Sequence, residues 1–267
     1  AAGCHALVYV PDEALETLLT PVETSPESVT LEIFQTRIPA DAEDKIAPLW
    51  NQIDELVLPA DVRRRLACNG FRSGVIGGPI PEELAALLDL EDESSASEAE
   101  RLITEKSAAP RITRRVVQLR NGEPTQIKPS ELADELHVLY CDDEGLTGSA
   151  FSRAEGVYEL RAAASPGQQV RIELLPELHH GEVRNRYVGS DPGIFMMTPS
   201  RERQRYDQLR MSVKLRPGEF LVLGGIDEAP GSLGQVFHTD RKTGAEQQKL
   251  IVIRMLEIPA TEILAEN

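Results

Sequence analysis

The sequence predicts an α+β protein, with a small N-terminal α/β unit followed by a mainly antiparallel β domain. Three observations predict it. Residues 208–226, QLRMSVKLRPGEFLVLGGI, join an alternating stretch, a Pro-Gly turn and a wholly apolar run. Upstream, Ile46, Leu49, Ile53 and Val57 recur at the three-and-four spacing of a helix. After Pro110 the chain becomes a series of short β-rich segments divided by turn residues.

The chain opens Ala-Ala-Gly-Cys. Ala2-Gly3-Cys4 is similar to the end of a bacterial lipoprotein signal, where small residues precede a cysteine that is lipidated after cleavage. That resemblance implies Cys4 as the lipid attachment site and residues 1–28 as an N-terminal segment carrying an anchor. Ala1 stands where such signals usually have a larger aliphatic residue. One acyl chain holds a membrane weakly, so stable anchoring needs a second contribution.

Residues 11–19 read as helix and 21–28 as loop. Residues 29–38 (VTLEIFQTRI) alternate, with Val29, Leu31 and Ile33 on one side, which predicts a strand. A helix over 41–58 is broken by Pro59, and a second over 61–67 is capped by Asn69-Gly70. Residues 71–76 read as a strand ending at Gly77-Gly78. The order β-α-α-β defines the α/β unit, placed at 29–90. Residues 79–90 form its last helix, with Pro81 in the first turn and acids after it, as the helix dipole favours. The acidic run 91–97 (EDESSAS) predicts a flexible linker, and helix resumes at 98–106, so 91–106 is read as linker and helix.

The β domain is placed at 107–258, with a tail at 259–267. Strands are expected at 111–119 and 123–127, joined as a hairpin by Asn121-Gly122, the strongest short hairpin signal. Further strands are expected at 136–141, 156–162 and 169–178, with His179-His180-Gly181 as a turn. Residues 185–205 read as a polar extended loop. In 208–226, Leu209, Met211, Val213 and Leu215 alternate with Arg210, Ser212, Lys214 and Arg216, so one face is apolar and the other charged. Pro217-Gly218 supplies a turn, and residues 220–223 suit a strand covered on both faces. The segment therefore predicts a hairpin, with Gly224-Gly225 as its exit. Residues 230–240 read as irregular, Gly244 as the start of a turn and 249–258 as the last strand.

Charge is unevenly placed. Residues 1–100 carry 20 acids and 6 bases, and the remainder is nearly balanced within a total of −16. Such a surface repels phosphates and argues against a nucleic-acid partner. No run of about 18 apolar residues is present for a membrane helix. Cys68 and Cys141 can pair in an oxidising compartment, but spacing does not establish it, and two buried free thiols are expected.

No catalytic constellation, cofactor motif or metal site is read in the sequence. His179 and His180 are adjacent, so in a strand they point to opposite faces, which argues against one shared ion with Glu182. Asp142, Asp143 and Glu144 lack the alternate spacing of a calcium loop and read as a polar turn. Ser232 lacks the nucleophile-elbow frame. Cys141 and His137 share a strand face but have no third group.

Taken together, residues 107–258 resemble the C-terminal domain of bacterial secretins, the ring-forming outer-membrane channels of secretion and pilus systems. The resemblance lies in residues 107–113 (SAAPRIT), in Asn121-Gly122 before Glu123-Pro124, and in residues 170–182 around Pro176. It continues in residues 216–226 (RPGEFLVLGGI), with Pro217, Gly218, Gly224 and Gly225, then in Phe237 and the final apolar strand. Residues 227–236 are contracted relative to the family, whose longer segment belongs to the lip and outer wall of the channel. The resemblance implies a structural homo-oligomeric ring in the bacterial envelope, at the outer membrane or periplasm, with other envelope proteins as further partners. A second expectation is a periplasmic adaptor that binds through the acidic N-terminal part, and a third is an enzyme with a site the residues do not reveal.

Overall fold

The computed structural model describes residues 28–38, 43–88, 112–190, 194–226, 229–240 and 247–257. Cys4, the expected helices at 11–19 and 98–106, the 91–97 linker, the turn at Gly244 and the 259–267 tail lie outside them. Two sheets stack against each other, and short helices cover the outer face of the first. All ladders between named strands are antiparallel.

The first sheet is built from β1 (Ser28–Arg37), β2 (Phe71–Ile76), β3 (Ile112–Arg120), β10 (Phe220–Gly225) and β12 (Gln247–Glu257), in the order β2-β10-β12-β1-β3. The two-residue β11 (Thr239–Asp240) adds to β12. The second holds β4 (Pro124–Ile127), β6 (Gly145–Ser165), β7 (Gln169–Ser190) and β8 (Ile194–Arg205) in sequence order. β5 (Ala133–Asp142) pairs with β6, and β9 (Met211–Leu215) with β7.

The apolar patterning explains this layering. β10 is buried on both sides, as its unbroken apolar run demands. Leu221 and Leu223 face the second sheet alongside Leu31, Ile33, Ile251 and Ile253, and share one core with Leu160 and Ile172 of that sheet. Phe220 and Val222 face the opposite way, against Trp50 and Leu49 of α1 (Glu43–Trp50) and Leu84 and Leu87 of α3 (Glu82–Leu87). β9 follows its alternation: Met211, Val213 and Leu215 are buried while Ser212 and Lys214 are exposed. On β1 the carboxylate of Glu32 is fully buried, and Arg114 of β3 and Arg254 of β12 both close on it from the flanking strands. A buried charge held by two partners in this way avoids the penalty of an unpaired one.

Several expectations are corrected here. The N-terminal strands do not form a sheet of their own: β1 and β2 are separated by β10 and β12 from the far end of the chain. The helix expected over 41–58 ends at Trp50. Its last turn tightens through bonds from Asn51 N to Pro48 O (3.1 Å) and Gln52 N to Leu49 O (3.0 Å). Asp54 then exchanges backbone bonds with Val75 at 2.8 and 3.0 Å. The second helix, α2 (Ala60–Cys68), stops as expected, with Asn69 as its cap and Gly70 at φ +76°.

The two expected hairpins are not hairpins. Turns do form at both: Glu123 N bonds Arg120 O (2.9 Å) and Glu219 N bonds Arg216 O (3.1 Å), with Gly122 at φ +77° and Gly218 at φ +84°. Yet β3 pairs with β1 while β4 pairs with β6, and β9 pairs with β7 while β10 pairs with β12 and β2. Each turn carries the chain from one sheet to the other. Three further segments differ. His179, His180 and Gly181 lie inside β7, and the expected loop at 185–205 is largely the β7–β8 hairpin. Residues 230–240 contain α4 (Leu233–His238), whose Ser232 side chain caps Gln235 N at 3.3 Å. Cys68 and Cys141 are joined by a disulfide, with Cys68 exposed, so the expected buried free thiols are replaced by a surface bridge.

Candidate functional site

The long strands β6 and β7 organise the most distinctive surface. They pair from Ser165↔Gln169 to Glu155↔His179 and then part. On β6 the residue just past the fork, Arg153, sits at φ +49°; on β7 Gly181 sits at φ +75°, beside a register shift between His180 and Arg184. A left-handed residue on each strand bends the two ladders away from each other. Beyond the fork β6 keeps β5 as partner, from Ala133↔Ala154 to Asp142↔Gly145. β7 keeps β8, out to Ser190↔Ile194. Arg153 Nη1 and Glu182 Oε1, 3.1 Å apart, and the tilted rings of Phe151 and His180, with centroids 4.9 Å apart, span the fork near its root.

Each ribbon therefore carries one β6 or β7 edge that no other strand pairs among the described residues. On β6 these positions are Leu146, Thr147, Gly148, Ser149 and Ala150, all exposed, with no Lys and no Pro to blunt the edge. Two other edges are occupied at particular points. Val75 of β2 is occupied by the Asp54 backbone. On β5, Leu139 N donates to Gly231 O at 2.8 Å, and Cys141 is held on both backbone groups by the Asn69 amide. The β6 and β7 edges past the fork carry no such cap among the described residues.

The residues that carry the resemblance occupy structural positions spread over both sheets. Asn121 Oδ1 accepts from Ala164 N (3.1 Å), and Gly122 N donates to Ala162 O (2.7 Å), which fastens the sheet-switching turn to β6. Ala164 pairs with Val170, and Val170 with Leu215, so the Pro217-Gly218 turn leaves from the same end of the sandwich. Pro176 sits in β7 opposite Tyr158 and accepts a bond from Tyr206 N at 3.1 Å. Gly224 and Gly225 pair with Arg72 and Phe71 within β10. Neither has a positive φ, so they are not a sharp exit. A Cβ on Gly224 would meet Trp50 Cζ2 at 2.6 Å, and one on Gly225 would meet His238 Cβ at 3.1 Å. Phe237 is fully buried and packs on Phe71 and Tyr158, with ring centroids at 5.4 and 4.8 Å. Cys4 lies outside the described residues.

Buried polar groups sit beneath these elements as matched pairs. His238 Nδ1 donates to Lys249 O (3.0 Å), which leaves Nε2 to accept from the Tyr158 hydroxyl at 2.8 Å. Burial lowers His238 from its ordinary value to about 4, with the Lys249 carbonyl bond pulling the other way. Burial pushes the Tyr158 phenol well above its usual range. At the root of the β7–β8 ribbon, His179 Nε2 lies 2.9 Å from buried Glu177, whose second oxygen is 3.5 Å from Arg205 Nε. The structure thus gives His179, His180 and Glu182 three different partners: Glu177, Phe151 and Arg153. Cys141 is consumed by its disulfide, and Asp142 closes a polar turn by accepting from Glu144 N and Gly145 N. The sequence reading missed the disulfide, the Asn69 clamp and the fork. Only Gly181 signalled the last.

Compared with known proteins, the chain matches no family model, no curated protein and no solved structure.

Proposed function

We propose that the chain is a secretin-like structural component of a bacterial cell envelope, whose copies join edge to edge into a ring through the forked ribbons. The observation that supports it most is the pair of strand edges beyond the fork that no strand pairs among the described residues, while the edges of β2 and β5 are occupied. A strand edge is a row of unpaired donors and acceptors, and a head-to-tail contact that closes by rotation satisfies every such row. The surface disulfide supports the location, because such bonds persist in oxidising compartments such as the periplasm. In this reading Cys4 supplies a lipid anchor to the outer membrane, and other envelope proteins complete the assembly.

Sedimentation and negative-stain microscopy of the full chain in mild detergent test the proposal. Closed particles of uniform subunit number are expected. A sharp monomer across the accessible concentration range overturns it.

A further inference from the structure

A groove of about 450 Å³ lies between the β5–β6 ribbon and the base of β8. Tyr140, Phe151 and Tyr206 supply aromatic surface, and Thr147, Ser149 and Gln204 supply neutral hydrogen-bonding groups. No charged side chain lines it. The chain has only 12 aromatic residues among Phe, Trp and Tyr, so three in one groove is a concentration.

The hydroxyls are the second observation. Tyr206 is only 5% exposed, and its ring lies 4.9 Å from that of Tyr140. Neither phenol oxygen has a protein hydrogen-bond partner among the described residues. The Tyr206 ring is buried while its hydroxyl oxygen keeps contact with solvent, so a ligand hydroxyl in the groove can take the place of water there. Burial raises both phenols above their usual value, most strongly for Tyr206, so each stays a neutral donor at physiological pH.

Elimination narrows the ligand. With no cation in the lining and a chain of net charge −16, phosphates and carboxylates are disfavoured. With no acid in the lining, metal ions and amines lack a counter-charge. A purely apolar ligand would leave the hydroxyls and the Gln204 amide unpaired. What fits is a neutral molecule with apolar faces and many hydroxyls at its rim. We propose that this groove binds a pyranose unit of a neutral oligosaccharide, stacked against the aromatic rings and held by the Tyr206 and Tyr140 hydroxyls. The size suits one or two sugar rings, within the range of small-ligand sites.

Calorimetric titration of the full chain with chitotetraose and, separately, cellotetraose tests this whether or not the chain forms rings. Saturable binding of at least one is expected. Tyr206→Phe, which removes one oxygen and keeps the ring, should weaken it roughly tenfold, the cost of one buried hydrogen bond. Phe151→Ala should weaken it further, with the Trp50 fluorescence and melting curve of each variant reporting that the fold is retained. Absence of heat with both sugars overturns the proposal. So does binding that neither variant alters, or displacement of the sugar by an extended peptide but not by a second sugar.

Discussion

The side-chain amide of Asn69 holds both backbone polar groups of Cys141: its Nδ2 donates to Cys141 O at 2.7 Å, and its Oδ1 accepts from Cys141 N at 2.9 Å. One side chain thus imitates a neighbouring strand. The residue before it, Cys68, is disulfide-bonded to the same Cys141. Helix α2 is fastened to the edge of β5 twice at a single point. The fastening also closes that edge to other chains, which is how natural sheets limit unwanted pairing.

Asn69→Ala should destabilise the fold by about 2–3 kcal/mol, because Asn69 is fully buried and its loss leaves the Cys141 groups without their partner. Denaturant unfolding measures it. A loss within about 0.5 kcal/mol, the range of ordinary surface changes, would show that water replaces the amide freely.

Replacing both Cys68 and Cys141 by Ser should cost about 4 kcal/mol in the chain-entropy view, since the bridge closes a span of 73 residues. Asn69 still holds the strand after the bridge is gone, so the double variant should keep the native circular dichroism spectrum. Its loss and that of Asn69→Ala act on the same residue, and the combination should depart from additivity. Equilibrium unfolding of the set checks both statements.

Much of the fold is legible in the sequence, and what is not has a common cause. The runs 29–38, 71–76 and 220–223 appear as strands with nearly the expected ends, because burial on one or both faces writes itself into side-chain choice. Asn121-Gly122 and Pro217-Gly218 are turns, as expected. Whether the flanking strands pair is decided elsewhere, by which apolar face each strand must cover. The ribbon past Arg184 reads as a loop because Gly189, Pro192, Gly193 and Pro199 punctuate it and its apolar residues do not alternate with polar ones. The disulfide joins residues too far apart for local pattern, and α4 is too short for helical periodicity to register.

Gly224→Ala should destabilise by about 1–3 kcal/mol, since the added methyl meets the ring of Trp50 at 2.6 Å and Leu250 at 3.0 Å in a packed core. Gly122→Ala offers a contrast. Space there is open, and its cost, about 1 kcal/mol, arises from the positive φ alone. Only the first should shift the emission of Trp50, the chain's single tryptophan. Equal spectra for the two variants would contradict the packing account.

Stability should fall as the solution is acidified from about pH 6.5 to about pH 4. His238 is held neutral in the folded state, at about 4 against an ordinary 6.5, so the unfolded chain binds the proton first. The contribution is complete above 6.5 and is lost as pH drops toward 4; its full size is roughly 3 kcal/mol. Protonation would also put a second donor against the Tyr158 hydroxyl, which already donates to Nε2. His238→Asn should lower stability at pH 7 and flatten the slope between pH 6.5 and 4. An unchanged slope would assign the acid sensitivity to other groups.

The assembly reading makes its sharpest demand at the edge of β6. Leu146 is 66% exposed and Ser152 is also exposed, so lysine at both positions should leave the monomer fold within about 0.5 kcal/mol of the parent. Lysines on an edge strand oppose its pairing with another chain, since each copy would have to bury or crowd the added charges. If copies join through this ribbon, the Leu146→Lys/Ser152→Lys chain should sediment as monomer at concentrations where the parent forms rings, and high salt should partly restore the rings by screening. Rings that persist in the double variant at low salt would place the seam on another edge, with the outer side of β8 the next to be charged.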